Sequence, residues 1–149
     1  MKHSILRSIF AFTVFALPCS LYAADPLNNT VWKTIDDKTK QPRALVKFTE
    51  NSKGELSASI QKVLVPSEVE KCSKCVGAYK DKALTGLTII KNLKQVKPNK
   101  YDHGSILDPE TGKTYSFNAN MSADQKILSG RGYIGISAIG RSQTWHRVQ

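Results

Sequence analysis

The chain has 149 residues, 40% of them hydrophobic, and carries 22 lysines and arginines against 12 acidic residues, a formal net charge of +10. That length corresponds to a single domain rather than a multi-domain assembly. The charge favours anionic neighbours such as lipid head groups or acidic ligands, but no run of four basic residues occurs, which argues for lysines dispersed over a surface.

Residues 1–24 read as a signal peptide. Lys2, His3 and Arg7 make a basic start, residues 9–17 (IFAFTVFAL) are apolar, Pro18 breaks the run, and Ala23 and Ala24 are small. The apolar run is too short to cross a bilayer as a stable helix. Cleavage after Ala23 or Ala24 is expected, although Leu21 or Tyr22 is bulky for the −3 position. Cys19 is poorly suited to lipidation because Pro18 stands directly before it. The expected product is a single exported domain, residues 25–149, periplasmic or secreted, with no transmembrane segment in the mature chain. Export disfavours a nucleic-acid partner. Loss of Lys2 and Arg7 lowers the net positive charge by two, and only Cys72 and Cys75 remain. An even pair in an oxidising compartment is most simply a disulfide.

The mature chain begins with β-branched residues around Trp32 (residues 28–35), followed by a polar turn at 36–42. In residues 43–50, Ala44, Val46 and Phe48 share one face and Lys47 and Thr49 the other. Period two with one apolar face predicts a half-buried antiparallel strand. After the turn Asn51-Ser52-Lys53-Gly54, residues 55–64 repeat the pattern with Leu56, Ala58 and Ile60, which makes a hairpin. Residues 66–82 are charged, hold both cysteines and read as a loop excursion with at most one helical turn. Residues 84–93 are β-like. Residues 94–102, interrupted by Pro98, read as a loop or an edge. A short strand at 104–107 is followed by the turn Asp108-Pro109-Glu110-Thr111-Gly112, where proline presets φ and glycine allows a positive one. Tyr115, Phe117, Ala119 and Met121 then alternate along residues 114–121, a strand loosened by Gly130 and Gly132 spans 126–133, and 142–148 is the last. About eight short strands without an amphipathic helix predict an all-β barrel or sandwich. Sequential hairpins favour an up-and-down meander.

Few constellations suggest chemistry. Cys72-Ser73-Lys74-Cys75 has redox-dithiol spacing, but no βαβ pattern surrounds it. As half of a metal site it lacks a second ligand pair, since His103 and His146 lie far apart in sequence. A structural disulfide is the simplest reading, with the other two as alternatives, and no metal or cofactor is expected. Asp102, Asp108 and Glu110 are candidates for paired acid and base, but Asp108 before Pro109 reads first as a turn former. No serine stands in a G-x-S-x-G context. The spacing Gly130-x-Gly132-x-x-Gly135 resembles a dinucleotide loop by letter, but strand-like sequence follows where a helix is required. Glycines in such strands mark bulges, bends or close backbone approach. If the first and last strands are neighbours, an arginine near Trp145, either Arg141 or Arg147, would cover Trp32 in a cation–π contact and close the barrel.

Read together, the export signal, W-x-T-x-D-D (Trp32, Thr34, Asp36, Asp37), the C-x-x-C, I-L-D-P-x-T-G-K-x-Y from Ile106 to Tyr115, R-G-Y-I-G from Arg131 to Gly135 and G-R-x-Q-T-W-x-R from Gly140 to Arg147 resemble the bacterial domain of unknown function 2147 family. The resemblance covers nearly the whole mature chain. It implies a small exported β-barrel of lipocalin-like, calycin-type architecture, with no established activity and no catalytic residues to carry over. The chain has Thr30 where the calycin pattern has glycine two positions before the first-strand tryptophan, and Lys40 where the family has glycine in the following turn.

These readings lead to a non-enzymatic barrel that binds a small apolar or amphipathic ligand, such as a lipid, against Val46, Phe48, Ile60, Tyr115, Phe117 and Tyr133. A barrel interior packed solid would count against that expectation. The alternatives are an envelope protein acting by contact with a protein or membrane surface, favoured by an apolar strip beside lysines, and a C-x-x-C redox protein. Nothing in the sequence sets the oligomeric state.

Overall fold

The computed structural model describes residues 23–65 and 70–149. The signal-peptide and lipidation readings of residues 1–22 lie outside the described residues. Eight strands follow in chain order: β1 (Val31–Ile35), β2 (Pro42–Glu50), β3 (Leu56–Val63), β4 (Thr88–Lys97), β5 (Lys100–Asp108), β6 (Lys113–Met121), β7 (Ile127–Tyr133) and β8 (Gly140–Arg147). Each pairs antiparallel with its neighbours in sequence, and β1 pairs with β8, so the sheet closes into an up-and-down barrel. Closure leaves no free strand edge.

The alternation in the sequence becomes the two faces of the wall. Val46 and Phe48 on β2, Leu56, Ala58 and Ile60 on β3, and Phe117, Ala119 and Met121 on β6 are buried inside. Burial of each large apolar side chain is worth roughly 1.5–3 kcal/mol relative to leaving it in water. The intervening positions, among them Lys47, Ser57, Ser59, Asn118 and Ser129, face outward and are polar. A polar outer wall around an apolar interior is the reverse of a barrel that faces lipid.

One predicted element is corrected. Residues 94–102 form a paired hairpin, with Lys94 opposite Asp102, Gln95 opposite Tyr101 and Lys97 opposite Lys100. Pro98 and Asn99 make its turn, and Asn99 has a φ of 60°, which asparagine tolerates better than most residues. Two bulges disguise the strands. Asn92 and His103 have φ of 57° and 64°, and the register shifts beside them. Each inserts one residue, so Ile90 and Leu93, and likewise Tyr101 and Gly104, point inward at a spacing of three instead of two. The short strand expected at 104–107 is the latter part of β5.

Among its described residues, the excursion between β3 and β4 contains one 3-10 turn, Gly77–Tyr79. The Cys72–Cys75 disulfide is present, with the two residues 0% and 2% exposed. The Cys72 N–H donates to the Lys82 carbonyl at 2.8 Å, which folds the excursion back on itself. It rests against the β5–β6 turn at Gly112, where φ is +72° and a Cβ would collide with the Lys74 carbonyl. Glycine is required there on both counts.

Candidate functional site

The connections β1–β2, β3–β4, β5–β6 and β7–β8 surround one end of the barrel, its mouth. The turns β2–β3, β4–β5 and β6–β7, with residues 25–30 and 148–149, gather at the other.

That second end is sealed. Leu27 is fully buried, and its carbonyl accepts from the Thr30 hydroxyl at 2.6 Å. The Trp32 indole N–H donates to the same hydroxyl oxygen at 2.7 Å. The Tyr101 hydroxyl donates to Asp25 Oδ1 at 3.1 Å, while the Asp25 backbone N–H donates to Glu50 Oε2 at 3.0 Å. Burial is the main cause that pushes the Asp25 carboxyl and the Tyr101 phenol above their ordinary values, because each would ionise away from water.

Above this plug lies an aromatic floor. The rings of Phe48 and Phe117 each stand 6.3 Å from the Trp145 ring, tilted by 47° and 27°. Such pairs contribute about 0.5–1.5 kcal/mol beyond the area they bury. Of the expected ligand lining, Val46, Phe48, Ile60 and Phe117 face inward but are packed into this lower half. Tyr133 is a correction. Gly132 lies on the inner face beside Ile106 and Tyr115, which turns Tyr133 to the outer wall opposite Ser116. Tyr115 alone of the six faces inward and is half-exposed.

The inward positions nearest the mouth are less deeply buried, with Ala44, Val63 and Ile106 packed against the upper edge of the core. Strand register brings Ala44, Val63, Ile106, Tyr115, Gly132 and Gln143 to the inner face there, and all are half-exposed. Their walls are mainly apolar, with the Gln143 amide held by the Trp145 indole N–H, which donates to its Oε1 at 3.2 Å. The rim is charged. Arg141 Nε donates to Asp37 Oδ2 at 2.7 Å and its Nη2 pairs with Oδ1, tying β8 to the β1–β2 loop. This arginine holds the Asp37 carboxyl down at about 2. Arg43 pairs with Asp36 at 3.2 Å and with Glu110, so its guanidinium links the β1–β2 loop to the β5–β6 turn on the far side of the rim.

The barrel-closing set is divided by this geometry. Trp32 and Trp145 belong to the buried core. Arg147 stands opposite Trp32 in the register and donates to Gln125 Oε1 at 3.1 Å. Arg141 is at the mouth, far from Trp32 along β8. Among the described residues no arginine lies over the Trp32 ring, and the cation–π pair found is Lys91 over Tyr79, at 4.9 Å. Strand pairing and the Thr30 hydroxyl hold Trp32 instead, so the threonine in place of glycine has a structural use.

The remaining candidates are not assembled into one site. Asp108 caps its own turn, accepting from the Glu110 N–H and the Thr111 hydroxyl, each at 2.9 Å. Asp102 accepts from the His103 N–H at the other end of β5. His103 and His146 sit on β5 and β8, and the two cysteines are joined to each other. Two depressions mark the outer wall. One of about 620 Å3 is lined by Lys126, Ile127, His146 and Val148 among others. One of about 370 Å3 lies between the excursion and β4, against Tyr79, Leu87 and Lys91. Sequence reasoning missed the plug at residues 25–30 and the arginine ties. It also missed the apolar β7–β8 loop, whose signal was Ile-Gly-Ile-Ser-Ala-Ile with no charge between Arg131 and Arg141.

Comparison with known proteins fits this architecture. A family profile described as "Uncharacterized protein conserved in bacteria (DUF2147)" matches residues 30–147. No curated protein matches the chain. Among solved structures, protein HP1028 from Helicobacter pylori, described as belonging to the lipocalin family, is similar with a TM-score of 0.71 and 18% identity, over 81% of this chain and 82% of that one. At that identity the likeness is one of fold. The chain, an eight-stranded lipocalin-like barrel, thus belongs to the bacterial DUF2147 family.

Proposed function

We propose that the protein binds a small apolar or amphipathic molecule, such as a single-chain lipid, at the mouth of its barrel, outside the cytoplasm and without catalysing a reaction on it. The observation that carries this reading is the division of the inner face. Apolar positions near the mouth are half-exposed, while those below are packed around Trp145. A lipocalin-like fold is compatible with small-ligand binding, and mouths of small barrels are common ligand sites. The packed floor moves the site upward from the depth expected of Phe48 and Phe117. It limits the guest to a chain end or a compact group, with its polar part at the arginine rim.

Burial of both Cys72 and Cys75 favours a structural clip over redox exchange, which needs an accessible thiolate. Action by surface contact draws support from a different feature, the β7–β8 loop.

Titration with a dansyl-labelled fatty acid tests the proposal. Gly132 has no Cβ, and one built there meets Ile106 Cγ2 at 3.4 Å and Tyr115 Cβ at 3.7 Å, an ordinary contact on the inner face. Gly132→Leu therefore fills the mouth. Saturable binding by the native protein, weakened about tenfold or more in the variant, supports the reading. Equal binding by both contradicts it.

A further inference from the structure

Ile134, Ile136 and Ile139, in the β7–β8 loop, are 69%, 64% and 71% exposed, and Val76 in the excursion is 74% exposed. All four stand at the mouth end. Large apolar side chains exposed elsewhere, Val96, Ile127 and Val148, reach only 38–49%. Exposed apolar side chains gathered in one place mark a contact surface, whereas scattered ones do not.

The loop has a defined shape. Arg131 Nε donates to the Ser137 carbonyl at 2.5 Å, Nη2 to the Ala138 carbonyl at 3.0 Å and Nη1 to the Ser142 hydroxyl at 2.8 Å. The Ile139 N–H donates to the Ile136 carbonyl at 3.1 Å, and Gly135 supplies a φ of +74°. Carbonyls 136–138 thus find donors within the protein while the isoleucines point away from it. A loop in water has solvent for those carbonyls, but a loop that leaves water must satisfy them itself.

The charge around the loop is mainly positive, although Glu70 and Asp81 of the excursion are exposed acids without an ion pair among the described residues. Lys38 and Lys40 in the β1–β2 loop, Lys74 in the excursion and Lys113 at the start of β6 are exposed, and none is ion-paired among the described residues. Asp36, Asp37 and Glu110 are each held by Arg43 or Arg141. Asp108 is turned into its own loop.

We infer that the β7–β8 loop and its lysine rim dock on an anionic lipid surface, with the isoleucines entering the interfacial layer and the lysines meeting head-group phosphates. Apolar insertion beside a basic rim is a two-part membrane anchor. The inference rests on the loop and rim and not on a ligand in the mouth. Vesicle binding without a bound guest, or the reverse, tells the two apart.

The test is co-sedimentation of the protein, recovered after removal of its leader, with vesicles of phosphatidylglycerol and phosphatidylethanolamine or of phosphatidylcholine alone. Binding to the anionic vesicles is expected to be about tenfold or more tighter and to weaken with salt. The triple variant Ile134→Ser, Ile136→Ser, Ile139→Ser is expected to lose on the order of a hundredfold. It should fold normally, because these side chains are exposed. Ile136→Trp gives an independent readout, since Trp32 and Trp145 are buried at 0% and 2%. Its emission should shift to the blue with anionic vesicles. No binding by the native protein, equal binding to both vesicle types, an unaffected triple variant or an unshifted Ile136→Trp spectrum would overturn the inference. The surface would then be left to a protein partner.

Discussion

The tip of the Phe117 ring lies over Gly130, its diagonal neighbour across the β6–β7 pair. A Cβ at Gly130 would stand 2.6 Å from Phe117 Cζ and 2.8 Å from Cε2. The glycine in β7 is therefore the space that lets the aromatic floor form. Gly130→Ala should destabilise the barrel by about 1–3 kcal/mol through overpacking. Adding Phe117→Leu, which withdraws the ring, should make the two changes less than additive. Urea denaturation of the two single variants and the double variant measures this. Additive losses would show that the ring and the glycine do not compete for space.

The Thr30 hydroxyl links Leu27 to the Trp32 indole at the sealed end, with the three residues 2%, 0% and 0% exposed. Thr30→Val keeps the volume but leaves a buried N–H and a buried carbonyl without this partner. A loss of about 1–3 kcal/mol is expected, against a smaller one for Thr30→Ser, which keeps the hydroxyl. Denaturation midpoints of the two variants give the comparison.

Lys40 has a φ of 60° in the β1–β2 turn. A side chain in that left-handed region is strained, and glycine is not. Lys40→Gly should raise stability by about 0.5–1 kcal/mol despite the added freedom of the unfolded chain. A fall in the thermal midpoint would contradict the strain argument.

These residues show why part of the molecule was legible in sequence and part was not. Phe48, Ala58 and Ile60 alternate against polar neighbours, so the β2–β3 hairpin and its inner face could be read directly. The β4–β5 hairpin was hidden because bulges at Asn92 and His103 shift the inward spacing from two to three. Tyr133 was assigned to the wrong face because its inward neighbour, Gly132, has no side chain to mark the interior. Depth along the barrel leaves no trace in periodicity either. Phe117 and Tyr115 carry the same alternation, although one lies in the floor and the other near the mouth. The ties from Arg141 to Asp37 and from Arg43 to Glu110 join residues distant in sequence, which only barrel closure brings together.

Acid should loosen the rim. Asp37 falls from its ordinary 3.8 to about 2 in the fold, first because Arg141 donates to its carboxylate. A depressed carboxyl value means that the folded state favours the ionised form. Its contribution is complete above about pH 4 and is lost as pH falls through about 2. Asp37→Asn should therefore flatten the pH dependence of stability between about 4 and 2. Because the pair is partly exposed, added salt should shrink the difference. Urea midpoints across that range, for native protein and variant, provide the check. Parallel curves would remove Asp37 from the account.

The proposed guest sits in the partly buried upper interior, above the Phe48, Phe117 and Trp145 floor. Native mass spectrometry of the protein purified from its native cells is the decisive test. The expected result is a mass above that of the polypeptide, from a small apolar or amphipathic molecule released on denaturation and missing from Gly132→Leu. A bare polypeptide mass for the native protein, or the same adduct on both proteins, would contradict it.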